Sequence, residues 1–189
     1  ELISRNLVTA CETPQDADAR TALALGSLMA GAAFSNAMVG VVHAIGHSLG
    51  GLCHVPHGQA MMLLLPHCVD WNIAHGMHRG LYGELLRALD PARFEQLALD
   101  AAKQQDNSLG AVDTKRLAEM RDAAFAAKLH DINTLFHERW NVPISLSELG
   151  IARDDLPKVA HQARYDGAAI YNSYEISEET ALAILEAEY

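Results

Sequence analysis

Four histidines lie within fifteen residues of this chain: His43, His47, His54 and His57. His43 and His47 are four residues apart in a helical stretch, so their side chains should lie one above the other on the same face. His57 follows Pro56, and the Pro and Gly around it predict a tight loop directly after the helix. One imidazole held by a helix and another by an ordered loop form a common kind of site for Zn²⁺, Fe²⁺ or a similar ion.

The spacing of these histidines is only moderately specific for a metal site. A metalloprotease signature requires Glu directly after the first histidine, and Ala44 stands there, so that chemistry is excluded. For His54 a structural role and a functional role are equally well supported. The other six histidines are expected to be hydrogen-bonded structural residues: His67, His75, His78, His130, His137 and His161.

Composition predicts the elements that position these histidines. The chain has 189 residues, half of them apolar but only 6% aromatic, and lacks alternating runs of Val, Ile and Thr. This favours an all-α fold, and residues 1–189 are expected to form a single helical domain. One helix is predicted to start with Thr13 as its N-cap and to end near Ala37, with small residues that bury it on most sides. Ser177 is predicted to cap the last helix.

Charge and cysteine content exclude several function classes. The net charge is −10, with 24 acidic and 14 basic residues and no basic cluster, so neither nucleic acid nor an anionic membrane is an expected partner. The longest apolar run, residues 60–66, is too short to span a bilayer. Three cysteines are an odd number without paired spacing, which indicates a reducing, cytoplasmic setting.

Four segments, in the same order along the chain, resemble the signature of the iron-containing (group III) alcohol dehydrogenases: Ala30–Ala37, Gly40–Gly51, Val55–Gly58 and Leu64–His67. Ser145–Leu156 and Tyr171–Tyr189 are similar to the end of that family, although Ser173 stands where the family usually has Pro. The resemblance covers essentially the whole chain but only the second half of a family member. It implies a multi-helix bundle like the C-terminal domain of dehydroquinate synthase-like and iron-containing alcohol dehydrogenases.

The resemblance also implies roles for individual residues. His43 and His57 match two metal ligands, for Fe²⁺ by family default or for Zn²⁺, which suits the same donors. His47 matches a histidine that lines the cleft beside nicotinamide and substrate, with a part in proton movement. Phe34 matches a residue near the substrate pocket, although a core role is nearly as well supported. The implied reaction interconverts an alcohol and an aldehyde by hydride transfer with NAD(P), with the metal ion as Lewis acid.

One departure from the family concerns its other two metal ligands, an Asp and a His four residues later. No Asp in this sequence has His at that spacing, and no Gly-rich phosphate loop is present, so no cofactor-binding residue is assigned. The sequence also starts at Glu1 in what reads as the middle of a helix. We therefore expect that the chain is truncated at its N-terminus, binds a divalent metal weakly by itself and has no activity alone.

Two alternatives remain. Polyol dehydrogenases and metal-dependent lyases such as dehydroquinate synthase share the fold, but residues 40–58 resemble the alcohol dehydrogenases much more closely. A free-standing helical metal-binding or interaction module without enzymatic activity is the second alternative.

The resemblance also predicts self-association. The wall of the bundle that faces the cleft in a complete enzyme is apolar, and we expect it to be exposed in this chain, which favours a homo-oligomer.

Overall fold

The structure is a computed structural model, and it describes residues 1–104 and 113–189. Those two ranges contain nine α-helices, two short 3₁₀ helices (Arg153–Asp155 and Gly167–Tyr171) and no β-strand, which confirms the predicted all-α fold. The α-helices are α1 (Leu2–Glu12), α2 (Ala17–Ala37), α3 (Val41–Cys53), α4 (His57–Ala74), α5 (Leu81–Leu89), α6 (Pro91–Gln104), α7 (Thr114–Trp140), α8 (Leu156–Ala163) and α9 (Glu178–Ala187).

The chain divides into two compact units, Glu1–Met38 and Val39–Tyr189. In the smaller unit, α1 and α2 pack against each other, and a β-carbon at Gly26 would lie only 2.8 Å from Ile3 Cγ1. The glycine thus allows the two helices to approach closely. That residues 1–189 form one metal- and substrate-binding domain stays a prediction.

The start of α2 differs from the prediction. Thr13 does not cap this helix; its N–H donates to Thr9 O at 2.8 Å and ends α1. The helix begins at Ala17, where Asp16 Oδ1 accepts from the N–H of Ala19 at 2.9 Å. Asp is at least as good an N-cap as Thr, so the sequence pattern is compatible with a helix capped by Thr13 or by Asp16. Because Thr13 is the C-cap of α1, Asp16 takes the N-cap position of α2.

The prediction that α2 is buried on most sides is wrong. Ala19 is its one buried residue, whereas Leu28 is 70% and Met29 is 59% exposed. The physical reason is that the smaller unit holds only two helices, so α2 has a single helix neighbour there and its remaining faces stay open.

The core of the larger unit lies where α3, α4, α8 and α9 pack together. Ile45 and Leu49 of α3, Leu63 and Leu64 of α4 and Leu185 of α9 are completely buried there. Burial of each such side chain contributes about 1.5–3 kcal/mol. This packing holds α3 in place, and α3 carries two of the candidate site residues.

A second apolar cluster, which includes Leu86 and Phe125, joins α5, α6 and α7 to the end of α4. Beside it, Asp122 of α7 is 3% exposed and its two carboxylate oxygens accept from the N–H groups of Gly80 (2.6 Å) and Gly83 (2.7 Å). Gly80 is the N-cap of α5 and has no side chain that could cap the helix itself. A carboxylate from another helix therefore provides the hydrogen-bond acceptor for two backbone N–H groups at the start of α5.

None of the described helices is by itself long and apolar enough to cross a lipid bilayer. Counted together, α2 (Ala17–Ala37) and α3 (Val41–Cys53) reach the required length and hydropathy, by length and composition only.

The three cysteines are free thiols with different exposure, which gives a direct test of the fold. Cys68 is 1% exposed, and burial, together with the charge of Glu188, raises the pKa of its thiol. Because the thiolate is the reactive form, a disulfide reagent should label Cys68 only after unfolding, while the half-buried Cys11 reacts in the native protein. Mass spectrometry of labelled peptides checks this, and rapid native labelling of Cys68 would contradict the core described above.

Candidate metal and catalytic site

Helix α3 places His43 and His47 on one face. Ala44, Ile45 and Leu49 are buried against the core, which leaves the histidines toward the outside of the helix. The two ring centroids lie 5.6 Å apart, and the rings are nearly perpendicular to each other. His43 is half-buried, whereas 43% of the side chain of His47 is exposed.

His57 joins these two rings from the next helix. It was expected in a loop, but it is the first residue of α4, because His54 (φ 59°) in the left-handed region turns the chain and Pro56 takes the N-cap position. The His57 ring centroid lies 5.5 Å from that of His43 and 5.7 Å from that of His47. Three imidazoles that are separated by up to fourteen positions in sequence therefore form a nearly equilateral cluster. The exposed His54 has no ring contact with it.

The donor chemistry of His43 fits a divalent metal ion. Burial lowers the pKa of His43, the neighbouring His47 and His57 lower it further, and Asp166 acts in the opposite direction. The lowered pKa favours the neutral ring, which is the form that coordinates a metal. Although the three ring centroids lie 5.5–5.7 Å apart, no three His, Cys, Asp or Glu side chains in residues 1–104 and 113–189 are arranged so that together they could hold one metal ion. Two imidazoles supply part of a coordination set, and a metal held by them requires further ligands.

Asp166 is a site residue that the sequence analysis missed. Both of its carboxylate oxygens lie 3.2 Å from Nδ1 of His47, although the two residues are 119 positions apart. Oδ1 also accepts from the N–H of Ala168 at 2.8 Å and so caps the 3₁₀ helix Gly167–Tyr171. The dipeptide Asp-Gly in this segment predicts a turn, but no local pattern indicates which distant side chain the carboxylate meets.

A cavity of about 320 Å³ adjoins His43. Its walls include the apolar residues Val42 and Leu65, and two residues with polar side chains, His43 and Asn172, also line it. Asn172 Oδ1 accepts from the N–H of Val41 at 3.1 Å and thereby caps α3, since the N-cap residue, Gly40, has no side chain. A β-carbon at Gly40 would lie 2.5 Å from Asn172 Oδ1, so this contact requires glycine.

Phe34 and six further histidines are the remaining residues singled out from the sequence. Phe34 is on α2 in the smaller unit and is 51% exposed, and its assignment to a substrate pocket stays a prediction. The six histidines expected to be structural each have a polar partner in the described structure. These contacts are His67–Glu188, His75–Trp71, His78–Ser173, His130–Asp70, His137–Val142 and His161–Glu178.

Comparisons with known proteins identify the family. The 1,3-propanediol dehydrogenase of Klebsiella pneumoniae is 33% identical over 97% of this chain and 41% of that protein. Alcohol dehydrogenase 4 of Saccharomyces cerevisiae is 29% identical over 100% of this chain and 42% of that protein. The crystal structure of a 1,3-propanediol oxidoreductase shares 30% identity and superimposes with a TM-score of 0.74, covering 100% of this chain and 42% of the other.

The chain thus spans less than half the length of these relatives. Its all-helical fold matches the corresponding helical part of the solved oxidoreductase. The family model for the C-terminal region of Fe-containing alcohol dehydrogenases matches residues 1–189 in full. On this evidence the chain belongs to the Fe-containing alcohol dehydrogenase family and represents its C-terminal domain.

Proposed function

We propose that this chain is the metal- and substrate-binding part of an NAD(P)-linked alcohol dehydrogenase that interconverts an alcohol and an aldehyde by hydride transfer. The observation that carries the proposal is the cluster of His43, His47 and His57, with ring centroids 5.5–5.7 Å apart, in a chain of this family. The names of its relatives support the reaction class, since they include a lactaldehyde reductase and an NAD-dependent methanol dehydrogenase.

In this proposal His43 and His57 hold a divalent metal ion. The lowered pKa of His43 favours a ring with a free lone pair, and His57 lies beside it at the start of α4. Fe²⁺ is the family default, and Zn²⁺ fits imidazole donors equally well. The bound ion supplies Lewis-acid stabilisation of the charge that develops on the substrate oxygen. Because two imidazoles are an incomplete set, binding by residues 1–189 alone should be weak.

His47 is assigned to proton movement. Its side chain is more exposed than that of His43 and lies one helical turn away on the same face, so it can reach a substrate beside the metal ligands. Imidazole exchanges protons near neutral pH, which suits general acid–base catalysis.

The substrate in this proposal is a small alcohol or aldehyde. The cavity is lined mostly by apolar residues, together with His43 and Asn172, which suits the carbon chain of such a molecule. The assignment of Phe34 to the substrate pocket rests on the family resemblance alone.

We also propose that the protein self-associates and works in the cytoplasm. Support for self-association comes from the exposed apolar side chains on α2, among them Leu25, Leu28 and Met29. The three free thiols suit a reducing compartment. Gel filtration combined with light scattering tests the first point.

The activity is tested on the full-length protein that contains this chain, loaded with Fe²⁺ or Zn²⁺ and assayed for NAD(P)⁺ reduction with small primary alcohols. We expect turnover from the full-length protein and none from residues 1–189 alone, because the nicotinamide dinucleotide requires a Gly-rich turn at a helix N-terminus. Turnover by residues 1–189 alone would contradict the proposal that the nicotinamide dinucleotide is bound outside these residues. Tight metal binding without turnover by the full-length protein would instead support a metal-binding module.

A further inference from the structure

We infer that Asp166 is a positioning residue that holds His47 in the tautomer needed to accept the proton of the alcohol substrate. This inference rests on the proposed function, in which His47 moves a proton. The inference is drawn from the contact of Nδ1 of His47 with both oxygens of the Asp166 carboxylate, each at 3.2 Å.

The backbone around Asp166 fixes its carboxylate before any substrate arrives. Its own N–H donates to Ala163 O at 3.2 Å, its carbonyl accepts from the N–H of Ala169 at 3.0 Å, and Oδ1 accepts from the N–H of Ala168 at 2.8 Å. The side chain is only 21% exposed, and the 3₁₀ helix that it caps packs against α3. The contact with His47 therefore joins two ordered elements.

The chemistry of the contact decides the tautomer of His47. An ionised carboxylate can only accept hydrogen bonds, so Nδ1 of the neutral imidazole must carry the proton and donate it. The lone pair is then on Nε2, at the opposite edge of the ring from Asp166. Besides Asp166, the titratable side chains that contact His47 in the described part of the chain are His43 and His57, with ring centroids 5.6 and 5.7 Å away. Neither of them is an acid that could take the place of Asp166.

In the oxidation direction, the alcohol O–H bond breaks and its proton forms an Nε2–H bond on His47. The carbinol C–H bond breaks with its electron pair, which passes as hydride to NAD(P)⁺, and the carbonyl double bond forms. The products are the aldehyde, NAD(P)H and an imidazolium at position 47. Asp166 then faces this imidazolium and stabilises its charge, without being protonated itself.

The first test is Asp166→Asn in the full-length protein. Asn keeps an oxygen that can cap the 3₁₀ helix at Ala168, but its amide group no longer forces the proton onto Nδ1. We expect kcat for alcohol oxidation to fall about a hundredfold or more, with KM changed less than about threefold and the metal content unchanged. Asp166→Glu, which retains an acceptor-only group, should recover part of the lost kcat.

A double-mutant cycle separates positioning from a structural role. In the His47→Ala background, Asp166→Asn should lower kcat by less than about twofold, since the group through which it acts is gone. A loss of similar size in both backgrounds would overturn the inference, because a cap on the 3₁₀ helix acts independently of His47.

Nitrogen-15 NMR of the His47 ring gives a readout that does not depend on activity. We expect a protonated Nδ1 and an unprotonated Nε2 in the neutral wild-type ring, and a mixture of tautomers in Asp166→Asn. A wild-type ring protonated mainly on Nε2 would overturn the inference. If the wild-type protein reduces no NAD(P)⁺, the proposed function fails, and the ring spectra still decide whether Asp166 positions His47.

Discussion

Replacing His57 by Ala in the metal-loaded full-length protein should lower kcat/KM for alcohol oxidation about a thousandfold. Lewis-acid stabilisation is worth several kcal/mol in the transition state, and each 1.4 kcal/mol or so corresponds to a factor of ten in rate. His57→Ala removes one of the two imidazoles to which the proposal assigns metal binding, the other being that of His43, 5.5 Å away between ring centroids. The fold should be unaffected, since His57 is exposed at the first position of α4.

The matched control for this prediction is His54→Asn. His54 is exposed, lies three positions away and adopts φ 59°, which Asn tolerates better than most residues. The control should keep both its metal content and its kcat/KM, whereas His57→Ala should lose metal during gel filtration. Retention of bound metal and full activity by His57→Ala would show that the ligand assignment is wrong.

Asp122→Ala should lower the free energy of unfolding by about 3–5 kcal/mol, because hydrogen bonds to charged groups contribute about 1.5–3 kcal/mol each. The buried carboxylate accepts from two backbone N–H groups at the start of α5, at 2.6 and 2.7 Å. Its removal leaves both donors, those of Gly80 and Gly83, without their partner. Since domains are stable by only about 5–15 kcal/mol, this loss is a large part of the total.

Urea-induced unfolding followed by circular dichroism measures this effect. Asp131→Ala is the matched control, because Asp131 lies on the same helix and is exposed, and it should change stability by less than about 0.5 kcal/mol. The loss of stability in Asp122→Asn should be intermediate between those of Asp122→Ala and Asp131→Ala, since an amide oxygen can still accept from one N–H group. Equal stabilities of Asp122→Ala and Asp131→Ala would contradict the capping role of Asp122.

The sequence by itself was sufficient to predict the helical fold and the residues that form the histidine cluster. Helices are specified by local features, such as the spacing of apolar residues and the caps at their ends. Ser177, predicted as the cap of the last helix, accepts from the N–H of Thr180 at 3.1 Å. The proximity of His43 and His47 also follows from local geometry, because residues four apart share a helix face.

The position of His57 was only partly predictable. The ordered segments that resemble the family pointed to it, but the sequence placed it in a loop, whereas it begins α4. Pro56 is compatible both with a loop and with the residue before a helix, and in the structure it is the N-cap of α4, after the turn at His54.

Contacts between residues far apart in the chain were decided by the tertiary structure alone. Asp166 meets His47 across 119 positions, and Asp122 caps α5 from 39 and 42 positions away. The open faces of α2 likewise depend on which helices pack beside it, not on its own small residues. The physical reason is the same in each case: a carboxylate or an apolar face has many possible partners in the unfolded chain, and only the packing of the helices selects one.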